Sequence, residues 1–333
     1  MQRKLVSIQL IDSLAPIAGA DAIDQARVMG WTVVVKKGEF APGDRCVFFE
    51  IDSVLPDGAP WAEFLRTRGF RVRTVKLRGV LSQGLALPVA ILGDGPVPEV
   101  GTEVSEPLGV TKFEAVLPDA REIAGPFPTR VPKTDEIRLQ SALGVLDEIR
   151  GREFYVTTKL DGASATYYRD LDGALVACSR NWALAPGENH VWRIAEQHQL
   201  ATRLPIGLAI QGELCGPGIQ KNRLGLPELT WFCFSIYDVR AGRFHAIDEM
   251  IACCADLGLP TVPIEQDVRG DAAAAYVHTL DGWLEAARGR YPGTKNNKEG
   301  IVIRPRVEAR SEALGGRLSF KVINNDFLLK DED

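Results

Sequence analysis

A lysine before a tight turn, a glutamate before a buried strand and a second lysine on a later strand are the residues here whose types could do chemistry together. Lys159-Leu160-Asp161-Gly162 follows the apolar–aromatic run Phe154-Tyr155-Val156. Glu299 opens Glu299-Gly300-Ile301-Val302-Ile303-Arg304, and Lys321 closes Ser319-Phe320-Lys321. A lysine amine attacks an electrophile only when free of its proton. Its ordinary pKa of about 10.4 means that burial or nearby positive charge must release that proton. A turn directly after a strand would present Lys159 at the mouth of a pocket. A carboxylate at the edge of a buried strand, such as Glu299, can hold a magnesium or manganese ion beside phosphates. Lys321 could neutralise charge that develops on a phosphate under attack. Singly, each residue reads as ordinary surface chemistry. Their order and spacing together reverse that reading.

The elements that must position these residues fall into two stretches. Residues 1–118 read as a β-rich domain, with short runs such as Trp31–Val35 and Arg45–Ile51 bounded by Gly and Pro. A small OB-like β-barrel fits the length and offers a nucleic-acid-binding face, although an SH3-like barrel would satisfy the same pattern. In Phe70–Arg78 the polar phase switches near Thr74, which predicts a bulge or sharp bend. Residues 119–133, with Pro126, Pro128 and Pro132, read as a linker. Residues 134–333 are then an α+β domain. Thr134-Asp135-Glu136 predicts the cap and first turn of a helix through about Ile149, with Leu139, Leu143, Leu146 and Ile149 on one face. Further helices are expected from Val191, over Ala246–Leu257 and over Ala272–Arg288. Strands are expected at Ile210–Leu214, Phe232–Val239 and Gly300–Arg304.

With 333 residues, the chain has room for two full cores. Its hydrophobic content of 45% and charged content of 25% are those of a globular protein. No apolar run approaches the ~18–20 residues of a membrane span, and the N-terminus alternates like a strand instead of carrying a signal peptide's apolar core. Six scattered cysteines without a C-x-x-C pair read as reduced thiols, so a cytoplasmic location is expected. His190 and His198 are too far apart for the usual transition-metal spacing. Net charge is −5, yet Arg66, Arg68, Arg71, Arg73, Lys76 and Arg78 follow one another without an acid among them. Of these, Arg71, Arg73, Lys76 and Arg78 are the candidates for contact with nucleic-acid phosphates.

Two more segments complete a pattern: Gly212-Glu213-Leu214-Cys215-Gly216-Pro217-Gly218 and Ser179-Arg180-Asn181. With them, the chain resembles the ATP-dependent RNA ligases of the covalent nucleotidyltransferase superfamily, in the branch with an N-terminal OB-like domain. The resemblance implies an ATP-grasp-like ligase adenylation domain in which Lys159 becomes adenylylated. It implies that Glu213 contacts the ribose, Arg180 a phosphate, and Tyr237, within Phe234–Val239, the adenine. Glu299 takes the metal-linked role and Lys321 a phosphate-binding one. ATP would be the substrate, with Mg2+ or Mn2+. The partner would be RNA or an RNA-containing nicked duplex, sealed at a 3′-hydroxyl and a 5′-phosphate in RNA repair, and no obligate protein partner is expected. The chain departs from the family where a second lysine often stands in the last motif: here it is Ile323, and Lys133 or Lys330 could supply the charge. DNA ligases and capping enzymes carry a further domain after that motif, for which Val322–Asp333 is too short, so their layout is not expected. A GTP-using or DNA-sealing relative and an inactive RNA-binding module are the rival readings.

Overall fold

The computed structural model describes residues 3–113 and 122–329. Two compact units make up the chain: Met1–Val116 with Leu139–Leu143 and Leu328–Asp333, and Leu117–Arg138 with Gly144–Phe327.

Short β-branched and aromatic runs build the first unit. Its strands are β1 (Val6–Leu10), β2 (Ser13–Pro16), β3 (Ile23–Val28), β4 (Trp31–Lys36), β5 (Arg45–Phe49), β6 (Ser53–Val54), β7 (Thr74–Leu77), β8 (Val80–Gln83), β9 (Leu85–Pro88) and β10 (Thr111–Lys112). They pair as β1-β5-β9, β2-β3-β4, β7-β8 and β10-β6. The run Cys46–Phe49 is unbroken because β5 is covered on both faces. Cys46 and Phe48 pack with Trp31 and Val33, whereas Val47 and Phe49 pack with Val6 and Ile8. The phase switch near Thr74 is not a bulge. It marks the start of a separate hairpin, β7–β8, whose turn residues Arg78 and Gly79 both have positive φ (48° and 85°), as a type I′ turn requires. Residues 139–143 belong to this unit through Gly30 N–H, which donates to Gln140 O at 3.0 Å, and Ser141 Oγ, which donates to Glu50.

The second unit holds two larger sheets. Its strands are β11 (Ile123–Pro126), β12 (Ile137–Arg138), β13 (Phe154–Lys159), β14 (Ala163–Arg169), β15 (Leu175–Cys178), β16 (Trp182–Leu184), β17 (Leu208–Cys215), β18 (Thr230–Asp238), β19 (Arg243–Phe244), β20 (Ile264–Val268), β21 (Gly300–Pro305), β22 (Arg310–Ser311), β23 (Gly316–Arg317) and β24 (Phe320–Ile323). Seven of them form the sheet β11-β16-β15-β14-β17-β18-β19, and five form β12-β24-β21-β13-β20. Helices α1 (Val145–Ile149), α2 (His190–Gln197), α3 (Leu200–Arg203), α4 (Ile247–Leu257), α5 (Gly270–Ala275), α6 (Leu280–Ala286) and α7 (Asn325–Leu329) complete the order. The main core lies under the seven-stranded sheet, where Tyr167, Ile210, Leu214 and Trp231 meet Ile194 of α2 and Met250 of α4.

Three expectations need correction. Residues 134–136 do not open a helix. Glu136 instead bonds Arg304 and Ser319, and Ile137–Arg138 pairs in parallel with Phe320–Lys321. Only Val145–Ile149 is α-helical there. The span expected as one helix over Ala272–Arg288 is broken into α5 and α6. Between them Tyr276 and His278 pack against Phe154 and Trp283, and Thr279 caps α6 by accepting from Gly282 N–H at 3.1 Å. The stretch expected as a linker carries strand β11 and the buried Phe127 and Val131, so much of it is sheet edge and core. Residues 119–121 lie outside the described residues.

Candidate active site

Lys159 is the last residue of β13, a strand buried along the rest of its length. Its register fixes what stands beside the lysine: Lys159 pairs with Gly300 of β21, and Gly300 pairs with Ile323 of β24. Two residues back, Thr157 pairs with Val302, which pairs with Lys321. Opposed residues, and residues two apart on a strand, share a sheet face. Lys159 and Lys321 therefore share one face, in neighbouring rows. In the first row Gly300 separates Lys159 from the buried Ile323 and allows β24 close. A Cβ there would stand 2.1 Å from Val322 O. Thus the residue in the place of a second lysine lies in the row of Lys159 itself.

Lys159 Nζ donates to Glu299 Oε2 at 2.8 Å, with the two side chains 22% and 19% exposed. Burial acts to lower the pKa of Lys159, but the charges of Glu299, Glu213 and Asp161 outweigh it and raise the value above that of an ordinary lysine. The sequence-based expectation of an environment that frees the amine is therefore reversed: without substrate, the site holds Lys159 protonated. Glu213 carries the opposite burden. Burial, followed by the neighbouring Glu299 and Asp161, pushes its carboxyl up to about 7 against the pull of Lys159. Gly162, last of the turn, explains how β17 comes so near. A Cβ there would meet Leu214 O at 2.4 Å and Glu213 Cγ at 2.8 Å.

The turn is tied down twice more. Arg223 Nε lies 3.0 Å from Asp161 Oδ2, and its guanidinium sits over the Phe327 ring. The buried Tyr291 hydroxyl meets the backbone of Lys159, Asp161 and Glu299. On the residues just before Lys159 and Glu299, Glu265 accepts from Thr158 at 2.8 Å and from Lys298 at 2.6 Å.

Arg304 and Ser319, which flank the two strand motifs, are structural. Arg304 donates to Ser319 Oγ at 2.8 Å, to Glu136 Oε1 at 2.8 Å and to Phe234 O at 3.0 Å, and Ser319 Oγ donates to Glu136 at 2.7 Å. Burial would raise the Glu136 pKa, but Arg304 and Arg317 hold it below the ordinary carboxylate range. This pair locks β21 to the chain entering β24, and so sets the register that places Glu299 and Lys321.

Arg180 stands in the turn between β15 and β16, half exposed and ion-paired with Asp135. Lys133 Nζ, in the same segment, donates to Asn181 Oδ1 at 3.1 Å. Thr134 Oγ1 lies 3.0 Å from Ser164 Oγ, and Ser164 is opposite Glu213, which brings this group toward the carboxylates. Lys330 lies outside the described residues. Tyr237 is not brought to the lysine. It shares the face of Glu213 but is opposite Ala209, four residues or about 13 Å back along β17, and meets Phe244 edge-on. Phe232 is the residue opposite Glu213, and Phe232 and Phe234 both pack against the cluster containing Leu160 and Tyr291.

In the first unit, Arg71 pairs with Asp52 at 2.6 Å and lies 3.6 Å over the Phe113 ring. Arg66 is held by Glu63 and Asp57, so acids distant or skipped in the basic run return in space. Arg73, Lys76 and Arg78 remain exposed on and beside the β7–β8 hairpin.

Residues 152–323 match the RNA ligase family, and residues 5–89 match an OB-fold domain. The chain belongs to the RNA ligase family. Its first unit is an OB-fold domain and its second the α+β ligase domain. Solved structures of the Naegleria gruberi RNA ligase share this architecture. A lysine-to-alanine variant with ATP and Mn is 35% identical over 98% of both chains, with a TM-score of 0.87. The enzyme with PPi gives the same identity and TM-score over 99% of both chains, and a glutamate-to-alanine variant with AMP and Mn does so over 98% of both. No curated protein matches by sequence.

Among the residues that sequence reasoning missed in this ligase, Arg304 left a usable signal. A charged residue ending an apolar strand needs a buried partner. Tyr291 and Arg223 left none, because their partners are set by a turn more than sixty residues away.

Proposed function

We propose that this RNA ligase joins a 3′-hydroxyl to a 5′-phosphate at nicks in duplexes whose 3′-hydroxyl strand is RNA, using ATP, in RNA repair. The observation that carries the chemistry is the half-buried Lys159 at a strand end, hydrogen-bonded to Glu299 and facing Glu213. Once its proton has passed to water, the Lys159 Nζ lone pair attacks the α-phosphorus of ATP, the bond to the bridging oxygen breaks, and pyrophosphate leaves. The adenylate then passes to the 5′-phosphate of a strand end. The 3′-hydroxyl attacks that activated phosphate and releases AMP.

Around this path, Lys321 on the same sheet face neutralises phosphate charge, and Arg180 exchanges Asp135 for a phosphate. Glu213 contacts the ribose. Phe232 and Phe234, in place of Tyr237, form the adenine-facing wall. Among the described residues no group of three or more His, Cys, Asp or Glu is arranged to hold a metal. A hard ion at Glu299 would draw its remaining ligands from phosphate and water, which is how magnesium is commonly bound. Once bound, such an ion offsets the carboxylate charge that keeps Lys159 protonated and stabilises charge on the phosphates. Arg73, Lys76 and Arg78 contact backbone phosphates, Arg71 serving only as support. All six cysteines are free thiols and five are buried, which suits a reducing compartment such as the cytoplasm, and among the described residues no helix is long and apolar enough to cross a membrane.

Incubation with α-labelled ATP or GTP, followed by nicked duplexes with ribose or deoxyribose at the 3′-hydroxyl, tests the reading. Labelling from ATP alone and faster sealing of the ribose nick are expected. Labelling from GTP, or indifference to the sugar, would overturn the nucleotide or the nick assignment respectively.

A further inference from the structure

The Tyr291 hydroxyl ties together the backbone on both sides of the site. Tyr291 lies between α6 and β21, 3% exposed, with its ring packed against Leu160, Cys215 and Val262. Its hydroxyl donates to Lys159 O at 3.1 Å and accepts from Asp161 N–H at 2.9 Å and from Glu299 N–H at 3.1 Å. A phenol oxygen offers one proton and two lone pairs, so its capacity is filled by backbone groups. Burial raises its pKa further and keeps it a neutral donor. Those three groups belong to the two residues of the reactive pair and to the acid of the turn, and the turn lies 130 residues or more from the tyrosine.

We infer that Tyr291 is a positioning residue, whose hydroxyl fixes the backbones of Lys159 and Glu299 so that amine and carboxylate meet in the geometry needed for attack on the α-phosphate. This rests on Lys159 being the nucleophile. The register of β13 with β21 sets which residues are opposed, but Lys159 and Glu299 stand at the open end of that ladder. There the hydroxyl replaces the missing next rung. A displacement of about 1 Å in such a pair can cost on the order of a hundredfold in rate.

The test is single-turnover labelling of Tyr291→Phe with α-labelled ATP, beside sealing of a pre-adenylylated nick by the same preparation. The maximal rate of enzyme–adenylate formation should fall about tenfold to a hundredfold. The ATP concentration for half-maximal rate, and the sealing step, should stay within about threefold. Val262→Ala trims the same cluster from outside the turn and leaves the hydroxyl, so it should lower the thermal midpoint without separating the two steps. Unchanged labelling by Tyr291→Phe, equal loss in both steps, or its failure to fold would overturn the inference. Failure of the nucleophile reading looks different: an unlabelled wild type, or a labelled Lys159→Ala.

Discussion

Two sets of basic residues in this chain have opposite fates. In the ligase domain Lys159, Arg223 and Arg304 sit half-buried or buried, each held against a named carboxylate by strand register or by the turn. In the OB-fold domain Arg66 and Arg71 are paired on the surface or partly exposed, and Arg73, Lys76 and Arg78 stand in solvent. The same residue types are locked in place in one domain and left to solvent in the other. Burial decides this, because a desolvated charge must have a fixed partner whereas a solvated one needs none. Substitutions in the first set should act sharply on one step, and those in the second gradually and in a salt-dependent way.

The largest effect should come from Lys159→Ala, which removes the amine proposed to attack ATP and should lower covalent labelling by at least about a thousandfold. Labelling within tenfold of wild type would erase the contrast. Next comes Arg304→Ala, which strands Glu136 in a buried site and should cost about 3–5 kcal/mol in denaturant unfolding. The exposed counterpart Arg66→Ala should leave the unfolding midpoint nearly unchanged. Equal costs would show that burial is not what separates the two sets.

Glu213→Gln gives a pH test. The folded-state pKa of about 7 lies above the ordinary 4.5, so ionising Glu213 disfavours the folded form. That cost is absent below about pH 4.5, grows as pH rises toward 7 and is complete above it. The variant should therefore be more stable than wild type by about 1–3 kcal/mol near pH 8, with the gap closing in acid. A gap that is flat with pH would refute the assignment. The smallest effect is expected from neutralising Arg73, Lys76 and Arg78 together. Slope analysis of RNA binding against salt should lose about 0.7–0.9 per phosphate contact removed, with labelling by ATP unchanged. An unaltered slope would free the hairpin of its RNA role.

These regions also differ in how much the sequence disclosed. The placement of Lys159, Glu299 and Lys321 at the ends of paired strands was legible because each borders a run of buried apolar residues whose extended pairing is dictated locally. The segment 134–149 misled because its helical spacing and acidic start were overridden by distant partners: Asp135 faces Arg180, and Glu136 faces Arg304. The depth of Tyr237 along the sheet was hidden for a geometric reason. A register shift between Gln211 and Gly212 leaves Phe234 as an extra residue in β18, so counting along the strand does not give its depth along the sheet. In the OB-fold domain the basic run looked uniform, yet Asp52 and Phe113, distant in sequence, take Arg71 out of it.

The most direct measurement is peptide mapping by mass spectrometry after incubation with ATP and a divalent metal. A single adenylate on the peptide containing Lys159, discharged by nicked duplex with an RNA 3′-hydroxyl end, is the predicted result. An adenylate on any other residue, or none on folded, metal-supplied and initially AMP-free protein, would contradict it.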